Sequence, residues 1–289
     1  MRVTRLASVA GLLLLAVPGV ALAAGGPQDW AMNLREPASP VMEQLTSFHN
    51  LLLWITGGIV ALVTVLLLVV IVKFNAKANP TPSRNAHNTL IEVVWTVVPV
   101  IILVVIAIPS FRLLYFMDRV EEPEMTLVVR GYQWYWGYEY PDQQIEEYSS
   151  FLVEDENLQP DQLRLLSVDN PIVLPVDTDI EILVTAGDVL HSFAIPNLGL
   201  KTDAVPGQTN HTWTRITEPG TYYGMCSELC GTGHGYMPIE IRAVSRAAFD
   251  DWVEQQVAGR ELAEPPVLLT RDYDPASAGD ASRIARAGQ

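Results

Sequence analysis

The sequence predicts a membrane-anchored protein: a hairpin of two transmembrane helices followed by an exported all-β domain folded as a sandwich or Greek-key barrel. Three observations carry this. Phe48 to Val72 holds no Asp, Glu, Lys or Arg and Thr89 to Phe111 holds only Glu92, and each run is long enough to cross a ~30 Å hydrocarbon layer as a helix. From Met125 to about Val244 the chain changes to short runs of Val, Ile, Tyr and Thr broken by Pro, Gly, Asn and Asp, the pattern of strands in a sandwich. The first residues carry the marks of export.

Residues 1–23 have Arg2 and Arg5, an apolar run from Leu6 to Val17, a Pro18-Gly19 break and Ala21-Leu22-Ala23. That is the order of a secretory signal peptide, and its run is well short of the ~20 residues a spanning helix needs. The mature chain is expected to begin near Ala24, with residues 24–47 as an exported N-terminal segment. The spanning helices are placed at 48–73 and 89–116. The loop between them, 74–88, and its border hold Lys73, Lys77 and Arg84 and no acid. The positive-inside rule puts this loop in the cytoplasm and both outer helix ends on the export side. Two buried core helices are the alternative, which needs a soluble domain large enough to surround them.

In the β domain, 117–245, expected strands include Met125 to Val129, Ile172 to Pro175, Ile180 to Thr185, His211 to Ile216 and Ile239 to Val244. Arg246 to Gln256 sets Ala247, Phe249, Trp252 and Val253 at helical spacing, so a short surface helix is expected within 246–259. Residues 260–289, with Pro265, Pro266 and Pro275, read as a flexible tail. The formal net charge is -15, which argues against nucleic acid and anionic surfaces as partners of the exported face. Between Asp118 and Asp188 there are 17 acids against Arg119, Arg130 and Arg164, a local net of -14. Single charges there are solvated by default, while their concentration suits a basic protein partner.

Chemistry is concentrated in Gly224-Met225-Cys226-Ser227-Glu228-Leu229-Cys230-Gly231-Thr232-Gly233-His234-Gly235-Tyr236-Met237-Pro238. Two thiols, an imidazole and a thioether within 12 residues are soft or borderline donors, suited to copper far better than to magnesium or calcium. The interleaved glycines let the loop fold back tightly. His191, in Asp188-Val189-Leu190-His191, is a further candidate ligand from a distant strand. Four readings fit parts of this set. A Cys226–Cys230 disulfide leaves His234, Met237 and His191 without a role. Tetrahedral zinc ignores the methionine, and a mononuclear blue-copper site leaves one cysteine over. Two copper ions sharing both sulfurs use every donor.

The stretches CSELCGTGHGYMP, DVLHSFAIPNLGLKTDAVPG, GYQWYWGYEY and EVVWTVVP resemble those of subunit II of the haem-copper cytochrome c oxidases of the bacterial type, and the likeness runs from about Pro37 to Val244. The resemblance implies a cupredoxin-like Greek-key barrel holding a binuclear CuA centre. It implies that Cys226 and Cys230 bridge two coppers, that His191 and His234 each terminate one, that Met237 is a weak axial ligand, and that the backbone carbonyl of Glu228 serves the other copper. It further implies that the Glu228 side chain reaches a magnesium ion shared with subunit I, a hard oxygen donor for a hard cation.

Positions 132, 134, 136, 138 and 140 are all aromatic, and in one continuous strand they share a face; packing accounts for most of them. The resemblance makes Trp134 the residue through which an electron arrives from cytochrome c, and makes Glu92 the carboxylate at the mouth of a proton pathway into subunit I. Read from position alone, Glu92 is a helix-N-terminal acid favoured by the macrodipole. Glu139, Asp142 and Asp188 are candidate docking acids. Met225 stands where relatives usually have glutamine, next to a ligand, and no Cys-x-x-Cys-His haem attachment motif occurs.

The expected protein is an inner-membrane subunit with a periplasmic copper domain. It takes electrons from cytochrome c to the haem groups of subunit I, which with other subunits reduces oxygen to water and pumps protons. Two other functions stand beside it: the CuA subunit of a nitric oxide or nitrous oxide reductase, and a periplasmic copper carrier. A quinol oxidase subunit has no need of these ligands.

Overall fold

The computed structural model describes residues 25–118 and 122–258; the expected signal peptide and tail lie outside them. Helix α1 runs Pro40–Lys73 and α2 runs Thr89–Met117. Ser39 caps α1 by accepting the Met42 N–H, and Pro40 occupies the first turn, where its missing donor costs nothing. Asn88 caps α2 in the same way, accepting the Ile91 N–H at 3.2 Å. The apolar side chains of both helices, such as Leu62, Leu67, Val98 and Ile101, face outward rather than into a core. That disposes of the buried-helix alternative and suits a lipid environment. This is a membrane protein.

Helix α1 begins eight residues earlier than the apolar run at Phe48 predicts. At ~1.5 Å per residue its 34 residues reach about 51 Å, more than the hydrocarbon layer requires, and the surplus is spent on the β domain. Val41 and Met42 are buried. The buried Ser39 hydroxyl donates to the Leu198 carbonyl at 2.8 Å, Ala38 N–H donates to Asn197 O at 2.9 Å, and Thr217 N–H donates to Ala38 O at 3.0 Å. At the other root, the Trp213 indole N–H donates to Phe116 O at 3.1 Å, with the two rings edge to face. The hairpin is therefore joined to the domain by hydrogen bonds at both helix ends.

Among the described residues, ten strands make two five-stranded sheets, ordered β3-β2-β1-β5-β8 and β4-β10-β9-β6-β7. The first contains β1 Met125–Tyr132, β2 Tyr135–Tyr140, β3 Ile145–Ser150, β5 Ile180–Ala186 and β8 Asn210–Thr214. The second contains β4 Ile172–Pro175, β6 His191–Ile195, β7 Leu200–Ala204, β9 Gly220–Cys226 and β10 Pro238–Val244. β1 pairs parallel with β5 and β4 with β10, the other neighbours antiparallel. Alternate residues of β1 and β5 (Leu127, Val129, Ile180, Ile182, Val184) join Phe193, Ile195, Tyr222, Ile239 and Ile241 of the other sheet in one core. This is the cupredoxin-like sandwich. Helix α3, Arg246–Val257, closes one end, its Phe249 and Trp252 packed on Tyr140.

One sequence expectation is corrected. The aromatic run 132–140 is not one strand but the tip of a hairpin, in which Tyr132 ends β1, Gln133 and Trp134 form the turn, and Tyr132 pairs with Tyr135. Trp136, Tyr138 and Tyr140 do share the inner face and are fully buried, while Trp134 stands apart at the surface. Period-2 spacing survives a two-residue turn unchanged, so the sequence pattern does not reveal the reversal.

Candidate metal centre

The donors converge at the end of the sandwich where β6 begins and β9 ends. Antiparallel pairing sets Phe193 of β6 opposite Cys226 of β9, and the Ser227 N–H donates to Ser192 O at 2.9 Å. His191 and Cys226 are thus held by ladder bonds on neighbouring strands. Cys230, His234 and Met237 come from the loop that returns to β10. The Met237 carbonyl accepts the buried Trp136 indole N–H at 3.2 Å, which fixes the end of that loop to the opposite sheet.

The two cysteines are free thiols with Sγ atoms 3.9 Å apart, about 2 Å beyond a disulfide bond. His191 Nδ1 lies 3.9 Å from Cys226 Sγ, and His234 Nδ1 lies 3.6 Å from Cys230 Sγ. Each thiol therefore has its own imidazole. Met237 Sδ is 3.6 Å from Cys230 Sγ, and the Glu228 carbonyl oxygen is 3.3 Å from Cys226 Sγ. His191, Cys226 and Cys230 are buried and offer ligand atoms within 4.8 Å of one another. Two thiols flanked by two imidazoles, with a thioether on one side and a carbonyl on the other, form a donor set with soft and borderline character that fits copper, and every donor is used.

The electrostatics favour the thiolate at Cys226 and the protonated thiol at Cys230. Burial pushes the Cys226 thiol up, but His191, the Glu228 and Ser192 backbone groups and His234 outweigh it, so its pKa falls well below the ordinary thiol value. Burial and the Cys226 charge push the Cys230 thiol up. Burial also works against the His191 cation, yet Cys226 and Asp188 beside it raise its pKa.

A supporting shell surrounds the donors. His191 Nε2 lies 2.9 Å from Asp188 Oδ1, leaving Nδ1 turned to the sulfurs. Behind the ring, Gly131 has no room for a side chain: a Cβ there would sit 2.8 Å from His191 Cδ2. The Trp136 ring meets the imidazole edge on at 6.0 Å.

Of the residues singled out by sequence, the structure gathers His191, Cys226, Glu228, Cys230, His234 and Met237 in one place. Trp134 lies against their loop, its indole N–H donating to the Cys230 carbonyl at 3.3 Å. The Glu228 side chain is exposed. Asp188, expected only as a surface acid, is tied inward: besides His191, it accepts the Gln133 and Val189 N–H groups at 2.7 and 2.6 Å. Asp142 accepts the Thr126 N–H at 2.7 Å, and lies beyond the far end of β2 from Trp134. Glu139 is half-buried on β2 opposite Val128. Glu92 is at the other end of α2 from the domain, accepting the Asn88 N–H at 3.3 Å with His87 Nδ1 at 4.0 Å. Gln133 escaped the sequence reading, although its place beside Trp134 in the run was a usable signal.

Residues 125–244 match the family described as cytochrome C oxidase subunit II, periplasmic domain, and residues 27–113 match cytochrome C oxidase subunit II, transmembrane domain. A protein of Rickettsia bellii described as probable cytochrome c oxidase subunit 2 is 54% identical over 230 residues, covering 80% of this chain and 86% of the relative. A counterpart in Rickettsia felis is also 54% identical, covering 80% and 73%. The crystal structure of the periplasmic domain of cytochrome oxidase subunit II of Bradyrhizobium japonicum is 44% identical, covering 49% of this chain and 99% of that one at a TM-score of 0.46.

Proposed function

The chain belongs to the cytochrome c oxidase subunit II family, a component of a membrane oxidoreductase complex, and on that premise we propose that it is the subunit that receives electrons from cytochrome c. The observation that carries this is the pairing of each thiol with its own imidazole, Cys226 with His191 and Cys230 with His234. Cys226 and Cys230 would hold a copper pair between them, His191 and His234 would terminate it, and Met237 and the Glu228 carbonyl would complete it. The bound pair supplies reversible one-electron exchange between cytochrome c and the haem groups of subunit I, where oxygen is reduced to water with proton pumping.

What the protein itself contributes is rigidity and exclusion of water. Cys226, Cys230, His191 and Met237 are all buried, and their backbone anchors lie on paired strands or are hydrogen-bonded to the opposite sheet. Donors so held keep their places when the charge of the site changes, which keeps reorganisation small. Trp134, 37% exposed and bonded to the Cys230 carbonyl, is placed to connect the outer surface to the site. The acids Glu139, Asp142 and Asp188 belong to a strongly negative segment suited to steering a basic cytochrome.

The exposed Glu228 carboxylate is assigned to a magnesium ion at the contact with subunit I, and Glu92 to the start of a proton path into that subunit. The loop carrying Lys73, Lys77 and Arg84 is placed in the cytoplasm of an inner membrane, with the β domain in the periplasm. The domain limits are those of the sequence reading except at the helices, which run Pro40–Lys73 and Thr89–Met117, and 1–23 are assigned to a signal peptide removed on export.

The test is copper stoichiometry with electron paramagnetic resonance on the purified full-length chain. Two coppers per chain with one unpaired electron shared equally by both nuclei is the expected result. One copper with a localised signal overturns the reading.

A further inference from the structure

We infer that Gln133 is a positioning residue for the metal centre, clamping the Cys230 peptide from above while its own backbone is anchored through Asp188 to His191. The inference builds on the proposed copper site but rests on hydrogen bonds and close contacts.

Gln133 and Trp134 turn the chain between β1 and β2 and lie directly on the ligand loop. The Gln133 side-chain amide Nε2 donates to the Cys230 carbonyl at 2.8 Å, and the Trp134 indole donates to the same oxygen at 3.3 Å. Both lone pairs of one carbonyl are therefore engaged by adjacent residues of a distant turn. That carbonyl belongs to a ligand residue and precedes Gly231, whose φ of +118° turns the chain where a side chain would be strained. Fixing the Cys230–Gly231 peptide plane thus fixes where Cys230 Sγ projects.

The contact surface is filled. A Cβ at Gly231 would come within 3.1 Å of Gln133 Nε2 and 3.2 Å of Trp134 Cζ2, and one at Gly233 would fall 2.4 Å from Trp134 Cδ2. Gly231 and Gly233 are needed for the turn to seat, and Gly231 also for the loop to bend. Of the two donors to Cys230, the Gln133 bond is the shorter, inside the ordinary N–H···O range. The Gln133 backbone N–H donates to Asp188 Oδ2 at 2.7 Å, while Asp188 Oδ1 lies 2.9 Å from His191 Nε2. One residue thereby spans the site: its side chain holds the Cys230 half and its main chain, through one carboxylate, the His191 half.

The test uses full-length protein with Gln133→Ala and Gln133→Glu. The first removes the amide and keeps the backbone bond to Asp188; the second keeps the size but sets a carboxylate against a carbonyl. The first readout is amide hydrogen exchange in metal-free protein at His234 and Tyr236, whose N–H groups bond to Gly231 and Gly233 carbonyls inside the loop. Exchange about three- to tenfold faster is expected in Gln133→Ala, the change that loss of one hydrogen bond produces, and more in Gln133→Glu. Strand amides of β1, β5 and β9 should not change. The second readout is the copper signal of loaded protein, where altered hyperfine splitting and faster release to a chelator are expected. Unchanged loop exchange in both variants overturns the inference whether or not copper binds. Faster exchange in the strands as well reduces Gln133 to a general packing residue and overturns it too. Failure of wild type to take two coppers overturns the functional reading alone, since the metal-free readout stands by itself.

Discussion

Asp188 and His191 are joined by a carboxylate-to-imidazole contact of 2.9 Å in which the histidine uses Nε2, so that Nδ1 faces Cys226. A carboxylate on the remote nitrogen fixes both the ring's orientation and which nitrogen carries the proton. Asp188→Ala should therefore lower copper retention about 10- to 100-fold in competition with a chelator. Asp188→Asn, which keeps an acceptor, should cost less. If the two variants hold copper as tightly as wild type, the contact has no part in ligand orientation.

Met237 is almost fully buried, with its sulfur 3.6 Å from Cys230 Sγ. Met237→Leu preserves volume, so the fold should lose less than ~1.5 kcal/mol. Two coppers should still bind, with a shifted potential and changed hyperfine couplings. An identical spectrum would place the thioether in packing only.

Trp134→Phe should leave copper content at the wild-type level, because no metal ligand is removed. It should change the spectrum less than Gln133→Ala does, because the indole bond to the Cys230 carbonyl is the longer of the two. Electron transfer from cytochrome c, followed by stopped flow in the assembled oxidase, should slow at least about tenfold, the scale of a ~1.4 kcal/mol rise in barrier. Equal rates would assign the indole to loop packing.

Glu240 offers a pH-dependent prediction away from the metal. Its carboxylate is nearly fully buried, accepting from Arg242 Nε at 2.9 Å and Val168 N–H at 3.1 Å. Burial raises its pKa despite the Arg242 charge. A raised pKa means that the folded chain binds this proton more tightly than the unfolded one. Its contribution is therefore favourable at acid pH and is lost as pH rises from the ordinary glutamate value through the folded one. Thermal unfolding of wild type and Glu240→Gln, followed from neutral pH down to about pH 4, should show wild type gaining stability relative to the variant as the pH falls through that window. A pH-independent difference would refute the assignment.

Phe249→Ala should destabilise the β domain by roughly 3–5 kcal/mol, the usual cost of emptying a buried aromatic site. It removes one of the two ring contacts between α3 and Tyr140, leaving that of Trp252, without touching the metal loop. Loss of copper binding at temperatures where the sandwich is still folded would mean that α3 supports the site directly.

The parts of this protein that follow local rules were readable from the chain. Two uncharged runs of bilayer length became α1 and α2, the second interrupted only by Glu92 in its first turn, and β4 matches the expected Ile172 to Pro175. The donor residues announced themselves because soft ligands are rare and here crowd together. What escaped depends on contacts distant in sequence. Asp188 looked like one more acid in a negative segment, and only the folded chain brings it to Gln133, 55 residues away. The early start of α1 was hidden because Val41 and Met42 are covered by the turn at Pro196–Leu198 and Gly199, so those residues follow the needs of a protein interface rather than of lipid.

That buried start of α1 has a mechanical meaning. A domain hung from a slack linker samples many heights and tilts, and every crossing to a fixed acceptor must wait for the right one. Here the Ser39–Leu198 and Trp213–Phe116 bonds make the helix pair a mast rather than a leash. The elevation of the thiols above the bilayer is thereby set within this one chain, before any neighbour is assembled beside it.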